Sequence, residues 1–186
     1  MRIRKAPENR KEEILNSALR LFAERGYPNL GMADIGKETS LARSSLYEYF
    51  ASKDEIALCL LAKLTEPFQS IKIRGKKIEK KLTNLLEDIF QIALEKSVLL
   101  DLYFHAYPSL SQANRSQSAE WQKIMMGMLA NIFQDEKKLR FSPSVAAYLS
   151  LSIVLQRLTD MVFSKSAINP ADEAEVIAAF ILKGIG

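Results

Sequence analysis

The feature that most constrains this chain is the spacing of its apolar residues between positions 9 and 62. They recur at helical intervals in four bursts separated by gaps of only a few residues. Ile14, Ala18 and Phe22, joined by Leu15 and Leu19, form an i, i+4 stripe that predicts a helix from about Asn9 to Arg25. Asn9, with Glu12 three residues on, is its start signal, and Gly26 its stop. Tyr27-Pro28-Asn29 reads as a turn. A short helix is expected from Met32 to about Glu38, with Gly31 at its N-cap and Ile35 as its inward anchor. After "TSL" (39–41) comes a second short helix, from about Ala42 to Tyr49, with Leu46 and Phe50 inward. Ser52 followed by Glu55 reads as a capping box: the Ser52 hydroxyl accepts from the first turn and Glu55 reaches back to the Ser52 N–H. The run behind it, "IALCLLA" (56–62), is apolar on every side and is expected to be buried all round, Cys59 included. Two short helices joined by a three-residue turn behind a longer supporting helix have the geometry of a helix-turn-helix.

The rest of the chain continues in helical period. Pro67 is expected to end or kink the fourth helix. Ile78, Leu82, Leu85, Leu86, Ile89 and Ala93 make one stripe. "SVLLDLYFHAYPSL" (97–110) is a short apolar helix closed by Pro108, and residues 112–136 form another. Ser142-Pro143 and Asn169-Pro170 are N-cap-then-proline starts that open two final helices, roughly 143–164 and 170–183, the second closed by Gly184. No period-2 alternation is bounded by turn residues, and the 7 Gly and 6 Pro are too few for a turn-rich sheet protein. The expected fold class is all-α with about nine helices. A DNA-binding-type domain is expected over 8–68, its helix-turn-helix at about 31–50, and a larger helical domain over 69–186.

Composition narrows the function classes. With 48% apolar residues a sizeable core can form. The run 56–62 is far below the roughly 20 residues a membrane span needs, and "MRIRKAPENRKEE" has no apolar segment of a secretory signal. A cytoplasmic protein without a membrane partner is expected. One cysteine excludes an intrachain disulfide, and one histidine excludes a multi-His metal site. No Gly-rich phosphate loop, catalytic Ser/His/Asp set or metal-ligand spacing is present, so neither an enzyme nor a bound cofactor is expected. The net charge of +4 is concentrated. Arg2, Arg4, Lys5, Arg10 and Lys11 face only Glu8 within residues 1–11, and "KIRGKKIEKK" (72–81) sets Glu79 against a run of lysines and one arginine. Such clusters suit phosphate backbones, or are solvated faces.

The segment "ARSSLYEYF" (42–50) is odd as a core element. Only Leu46 and Phe50, one turn apart, look like anchors, which leaves Arg43, Ser44, Ser45, Tyr47 and Tyr49 on the open faces. Arginine pairs bidentately with guanine, serine bonds base edges or phosphate, and tyrosine hydroxyls hold phosphate. An amphipathic helix with nothing bound is the alternative. Lys53 poses a related question, because a cation in a helix's first turn opposes the macrodipole; a phosphate docked at that N-terminus resolves it. A ligand pocket is sought in 97–133, from Tyr103, Phe104, His105, Tyr107, Trp121, Met125 and Met128, with ordinary core packing as the competing reading. His105, four residues after Asp101, is spaced for a hydrogen-bonded pair. Small residues on the last two helices, Ala146, Ala147, Ser150 and Ser152 with Ala171, Ala174, Ala178 and Ala179, suit a four-helix interface between two subunits or close packing within one.

Residues 14 to about 61 resemble the N-terminal domain of TetR-family transcriptional regulators. The resemblance rests on "IL..AL.LFAERGY" (14–27), "MADIGKE" (32–38) and "SLYEYFASKDEI" (45–56). It implies a dimer of nine-helix subunits, a divergent C-terminal pocket for a small-molecule inducer, and repression of double-stranded operator DNA until that inducer binds. By position it implies a recognition helix at 42–48, with Arg43, Ser44 and Ser45 facing the groove, Tyr47 on phosphate, Tyr49 near the backbone, and Lys53 opening the fourth helix. Three residues depart from the family pattern. Gly31 stands where a capping Thr or Ser and its hydroxyl are usual, Ser40 where the turn has Gly, and Ala42 where the recognition helix has a Ser cap. A non-glycine residue in a left-handed turn costs roughly 1 kcal/mol, so strain is expected at Ser40.

Overall fold

The structure, a computed structural model of the chain, describes residues 7–134, 136–164 and 168–185. Arg2, Arg4 and Lys5 of the N-terminal basic cluster lie outside the described residues. The helical spacing becomes eleven α-helices and no strand among the described residues. In order they are α1 (Pro7–Arg25), α2 (Met32–Glu38), α3 (Arg43–Tyr47), α4 (Lys53–Ala62), α5 (Thr65–Gln69), α6 (Ile78–Glu95), α7 (Ser97–Ala106), α8 (Gln112–Ser118), α9 (Glu120–Gln134), α10 (Pro143–Ser164) and α11 (Pro170–Ile185). Short 3₁₀ turns at Tyr27–Asn29 and Tyr107–Ser109 each hold a proline.

The described residues fall into two compact units, one running to Lys63 and including Val98–Ser118, the other made of Leu64–Ser97 and the chain from Ala119. In the first, α1 packs on α2 and α4, α2 on α3, and α4 on α8. Its core holds Ile14, Ala18, Phe22, Ile35, Leu46, Phe50, Ile56 and Leu60. Lys63, just past α4, reaches Glu12 of α1 at 2.9 Å. In the second unit α6 lies along α11 and α9 along α10, with α5 against α6 and α9. Phe68 of α5 stacks on the fully buried Trp121 of α9, ring centroids 5.3 Å apart. Arg157 of α10 forms a two-toothed ion pair with Glu173 of α11, its Nη2 3.0 Å from Oε2. Helices α7 and α8 come from the stretch expected to belong wholly to the C-terminal domain and lie in the first unit.

Several boundaries differ from the sequence expectation. Helix α1 is already under way at Pro7, so Asn9 sits inside it, exposed. Helix α4 stops at Ala62, before Pro67, which instead occupies the third position of α5, where its missing N–H has no intrahelical partner to lose. The helix expected over 112–136 is two, parted at Ala119. There the Ser118 hydroxyl donates to the Arg115 carbonyl at 3.0 Å, competing locally with the helical ladder. Gly184 does not close α11, which runs to Ile185; the Arg140 N–H donates to the Ile185 carbonyl at 2.8 Å and satisfies that end. The run 56–62 is not buried all round: Cys59 and Ala62 are exposed, while Ile56, Ala57, Leu60 and Leu61 face the core. Pattern alone could not separate these faces, because every residue of the run is apolar. Helix α10 is long and apolar enough to cross a bilayer. Its Ala146, Ala147, Leu151, Val154 and Leu158 are buried, however, and it packs on α9, as the core helix of a folded bundle does.

Candidate nucleic-acid interface

The α2–α3 corner is built by a turn whose hydrogen bonds are all accounted for. Thr39 ends α2, its hydroxyl donating to the Ile35 carbonyl at 2.8 Å. The Ser40 N–H donates to Lys37 and the Leu41 N–H to Gly36 at 2.9 Å, the paired bonds of a Schellman motif. Ser40 is its left-handed residue, at φ 51°, the one described non-glycine residue with positive φ. The strain expected from the sequence is therefore located. Gly36 allows the close approach, since a Cβ there would lie 3.3 Å from the Leu41 carbonyl oxygen. Arg10 of α1 donates to the Thr39 carbonyl at 3.2 Å and pairs with Glu13, tying the supporting helix to the turn.

Helix α3 is held from below by Leu46 (0% exposed), with Phe50 just beyond it. Arg43, Ser44 and Tyr47 are exposed, and Ser45 and Tyr49 are half-buried. The Arg43 guanidinium sits 5.6 Å from the Tyr47 ring centroid, so an i, i+4 pair lies on the open face. Ala42 is the N-cap and, as expected of alanine, makes no side-chain cap. Gly31 caps α2 through its backbone: the Gly31 N–H donates to Asp34 Oδ2 at 2.9 Å.

At the start of α4 the Ser52 hydroxyl accepts from the Glu55 N–H at 3.1 Å, as expected. The other half of the box is shifted by one residue: Glu55 Oε2 accepts from the Ala51 N–H at 2.6 Å rather than from Ser52. Lys53 is half-exposed. Its ammonium donates to the Tyr27 carbonyl at 3.0 Å and lies 4.3 Å from the Tyr27 ring centroid. The Tyr27 hydroxyl donates to Asp54 Oδ1. Burial, and after it the Asp54 carboxylate, push that hydroxyl well above its ordinary pKa. Sequence reasoning missed this cluster, because its partners lie 26 and 27 residues apart.

The residues sought as a ligand pocket divide between the units. Tyr103, Phe104, His105 and Tyr107 are in the first, where Tyr103 meets Phe104 and Tyr107 at centroid distances of 5.4 and 5.1 Å. Trp121, Met125 and Met128 are in the second; the first two are fully buried and Met128 partly. His105 Nδ1 lies 2.9 Å from the Asp101 carbonyl oxygen and 3.5 Å from the Asp101 carboxylate, so the expected pair forms mainly through the backbone. A concavity of about 460 Å³ opens elsewhere, at the start of α6, between Lys76, Lys77, Lys81 and Ile132. Partial burial, then Glu55, raise the Cys59 thiol against the pull of Lys11 and Lys63, so it is not an activated thiolate.

An all-α chain whose N-terminal unit presents a short, shallowly anchored helix across a tight turn is a helix-turn-helix protein. Residues 14–59 match the family of bacterial regulatory proteins, tetR family. Among curated relatives it is 30% identical over 92 residues to the HTH-type transcriptional regulator YuxN of Bacillus subtilis, covering 45% of this chain and 32% of that one. It is 24% identical over 110 residues to IcaR of Staphylococcus epidermidis, the negative transcriptional regulator of the biofilm operon icaADBC, covering 59% and 58%. The chain thus spans only part of the length of these relatives. Among solved structures, the fold matches the TetR-family regulator PfmR of Thermus thermophilus at a TM-score of 0.74 and 19% identity, over 91% of this chain and 97% of that one. It matches a regulatory protein of Rhodococcus at 0.77 and 12% identity, over 98% of both. At these identities the likeness is one of fold.

Proposed function

We propose that this chain is a cytoplasmic, DNA-binding transcriptional regulator that acts as a dimer on a pseudo-palindromic operator. The observation that carries the reading is α3, which two apolar side chains hold down while Arg43, Ser44 and Tyr47 stand on its open face. In the groove, Arg43 reads guanine O6 and N7, Ser44 and Ser45 bond base edges or phosphate, and Tyr47 and Tyr49 hold the backbone. Lys53 meets phosphate at the start of α4. One of its three N–H donors serves the Tyr27 carbonyl, and the others are available. Gly31 stands at the start of α2, its own backbone N–H committed to Asp34.

The dimer reading is supported by outward faces on the last two helices. Val145, Tyr148, Leu149 and Ser152 line one side of α10, and Val176, Ala179 and Phe180 one side of α11, with Val176 and Phe180 each 66% exposed. Apolar stripes of this kind mark a contact with another chain. Most of the small residues expected there, among them Ala146, Ala147, Ser150, Ala174 and Ala178, are buried instead within their own unit.

Repression follows the sense in which IcaR is named, and release by a small-molecule inducer follows a population-shift mechanism, the inducer favouring a subunit arrangement that no longer matches half-site spacing. The test is a gel-shift series against salt with duplex DNA from upstream of the protein's own gene. Retardation that weakens steeply as salt rises is the expected result; no retardation of any fragment at low salt refutes DNA binding.

A further inference from the structure

The first turn of α4 carries one cation and two acids, Lys53, Asp54 and Glu55, on the rim that the proposed function brings to a phosphate. Unrestrained carboxylates there would repel the nucleic acid. Each is drawn off by a specific donor. Glu55 is held by the Ala51 N–H at 2.6 Å, and Asp54 by the Tyr27 hydroxyl. The same tyrosine holds Lys53 through its carbonyl and its ring face. Tyr27 is 2% exposed and packs on Phe22 at a centroid distance of 5.3 Å, so it is a fixed post rather than a mobile surface group. A phenol donating to a carboxylate in a half-buried setting makes a charge-assisted bond, stronger than a neutral one.

We propose that Tyr27 is a positioning residue that sorts the charges at the start of α4, holding the Asp54 carboxylate inward and the Lys53 ammonium on the rim, so that a phosphate meets a cationic surface. This role rests on the DNA-binding reading above. It assigns a function to the tyrosine hydroxyl that packing does not need, because phenylalanine would fill the same volume.

The test is a double-mutant cycle in the full-length protein, using duplex DNA from upstream of its own gene. Wild type, Tyr27→Phe, Asp54→Asn and the double variant are titrated at low and moderate salt. Tyr27→Phe binds about five-fold more weakly at low salt, and the loss shrinks as salt screens the released carboxylate. In the Asp54→Asn background the same substitution changes affinity by less than about two-fold, since no charge remains to be released. Equal losses in both backgrounds make Tyr27 a core residue only and overturn the proposal, as does an unchanged affinity in the single variant. Lower stability of Tyr27→Phe does not blur the result, because the double variant carries the same lesion. A wild type that binds no DNA sinks the functional reading itself, before any variant is compared.

Discussion

Replacing Ser40 by glycine should stabilise the protein, although no contact is added. The φ of 51° at Ser40 places its Cβ against the following carbonyl, at a cost of about 1–2 kcal/mol. Glycine adopts this conformation freely but loses more backbone freedom on folding, which returns about 0.5–1 kcal/mol. The Ser40 side chain is exposed. Both Schellman bonds are made by backbone N–H groups that the substitution keeps. The net gain is therefore about 0.5–1 kcal/mol, or roughly 1–4 °C in melting temperature for a chain of this size. Ser40→Ala keeps the strain and serves as the control. Thermal unfolding of the three proteins gives the magnitude, and amide exchange at Leu41 tests the location, since slower exchange there is expected only in the glycine variant. If Ser40→Gly melts at or below wild type, or if Ser40→Ala gains as much, the strain argument is wrong.

The Arg157–Glu173 pair gives a pH signature. The Arg157 hydrogen bond holds the Glu173 carboxyl below its ordinary value of 4.5, so its contribution is present above that value and is lost as pH falls through the lower folded value. Stabilities of wild type and Glu173→Gln from urea unfolding should differ by about 1–2 kcal/mol at pH 7 and converge as pH falls through the lowered Glu173 value. Arg43→Ala should cost about 1–3 kcal/mol of operator affinity and relax base preference at one position, measured with a panel of substituted duplexes. Lys53→Ala should weaken all sequences alike and lower the salt slope by about one per subunit. Phe180→Glu should convert the proposed dimer to monomer in sedimentation velocity while the helical circular dichroism signal is retained; an unchanged sedimentation coefficient would refute the proposed interface.

Much of the helix-turn-helix was legible because its information is local. Leu46 and Phe50 sit one turn apart among polar residues, so their inward direction follows from spacing alone, and the boundaries of α2 were recoverable to the residue. The strain at Ser40 was legible through the resemblance, which puts glycine in the turn where this chain has serine. What escaped is set by contacts across the sequence. Lys53 could be seen to be out of place against the macrodipole, but not that Tyr27 receives it. In all-apolar runs such as 56–62, periodicity has no contrast, so exposed Cys59 could not be told from buried Leu60. The outward residues of α10 and α11 were hidden by the same lack of contrast, and the search for small residues picked the buried face. The break at Ala119, beside which the Ser118 hydroxyl turns to the Arg115 carbonyl, leaves no mark in the apolar periodicity.

That break has a consequence for how the protein comes into being. Because the N-terminal unit includes Val98–Ser118, and α4 rests on α8, its fold is not finished when residue 63 has been synthesised. The nascent chain must carry an incompletely covered α4 through the making of α5, α6 and α7 before the covering helix arrives. A gene fragment cut after residue 68 would leave that same face of α4 to water, or to whatever apolar surface it met first. The helix-turn-helix unit is therefore a late product of translation, completed by a segment that lies well downstream of it.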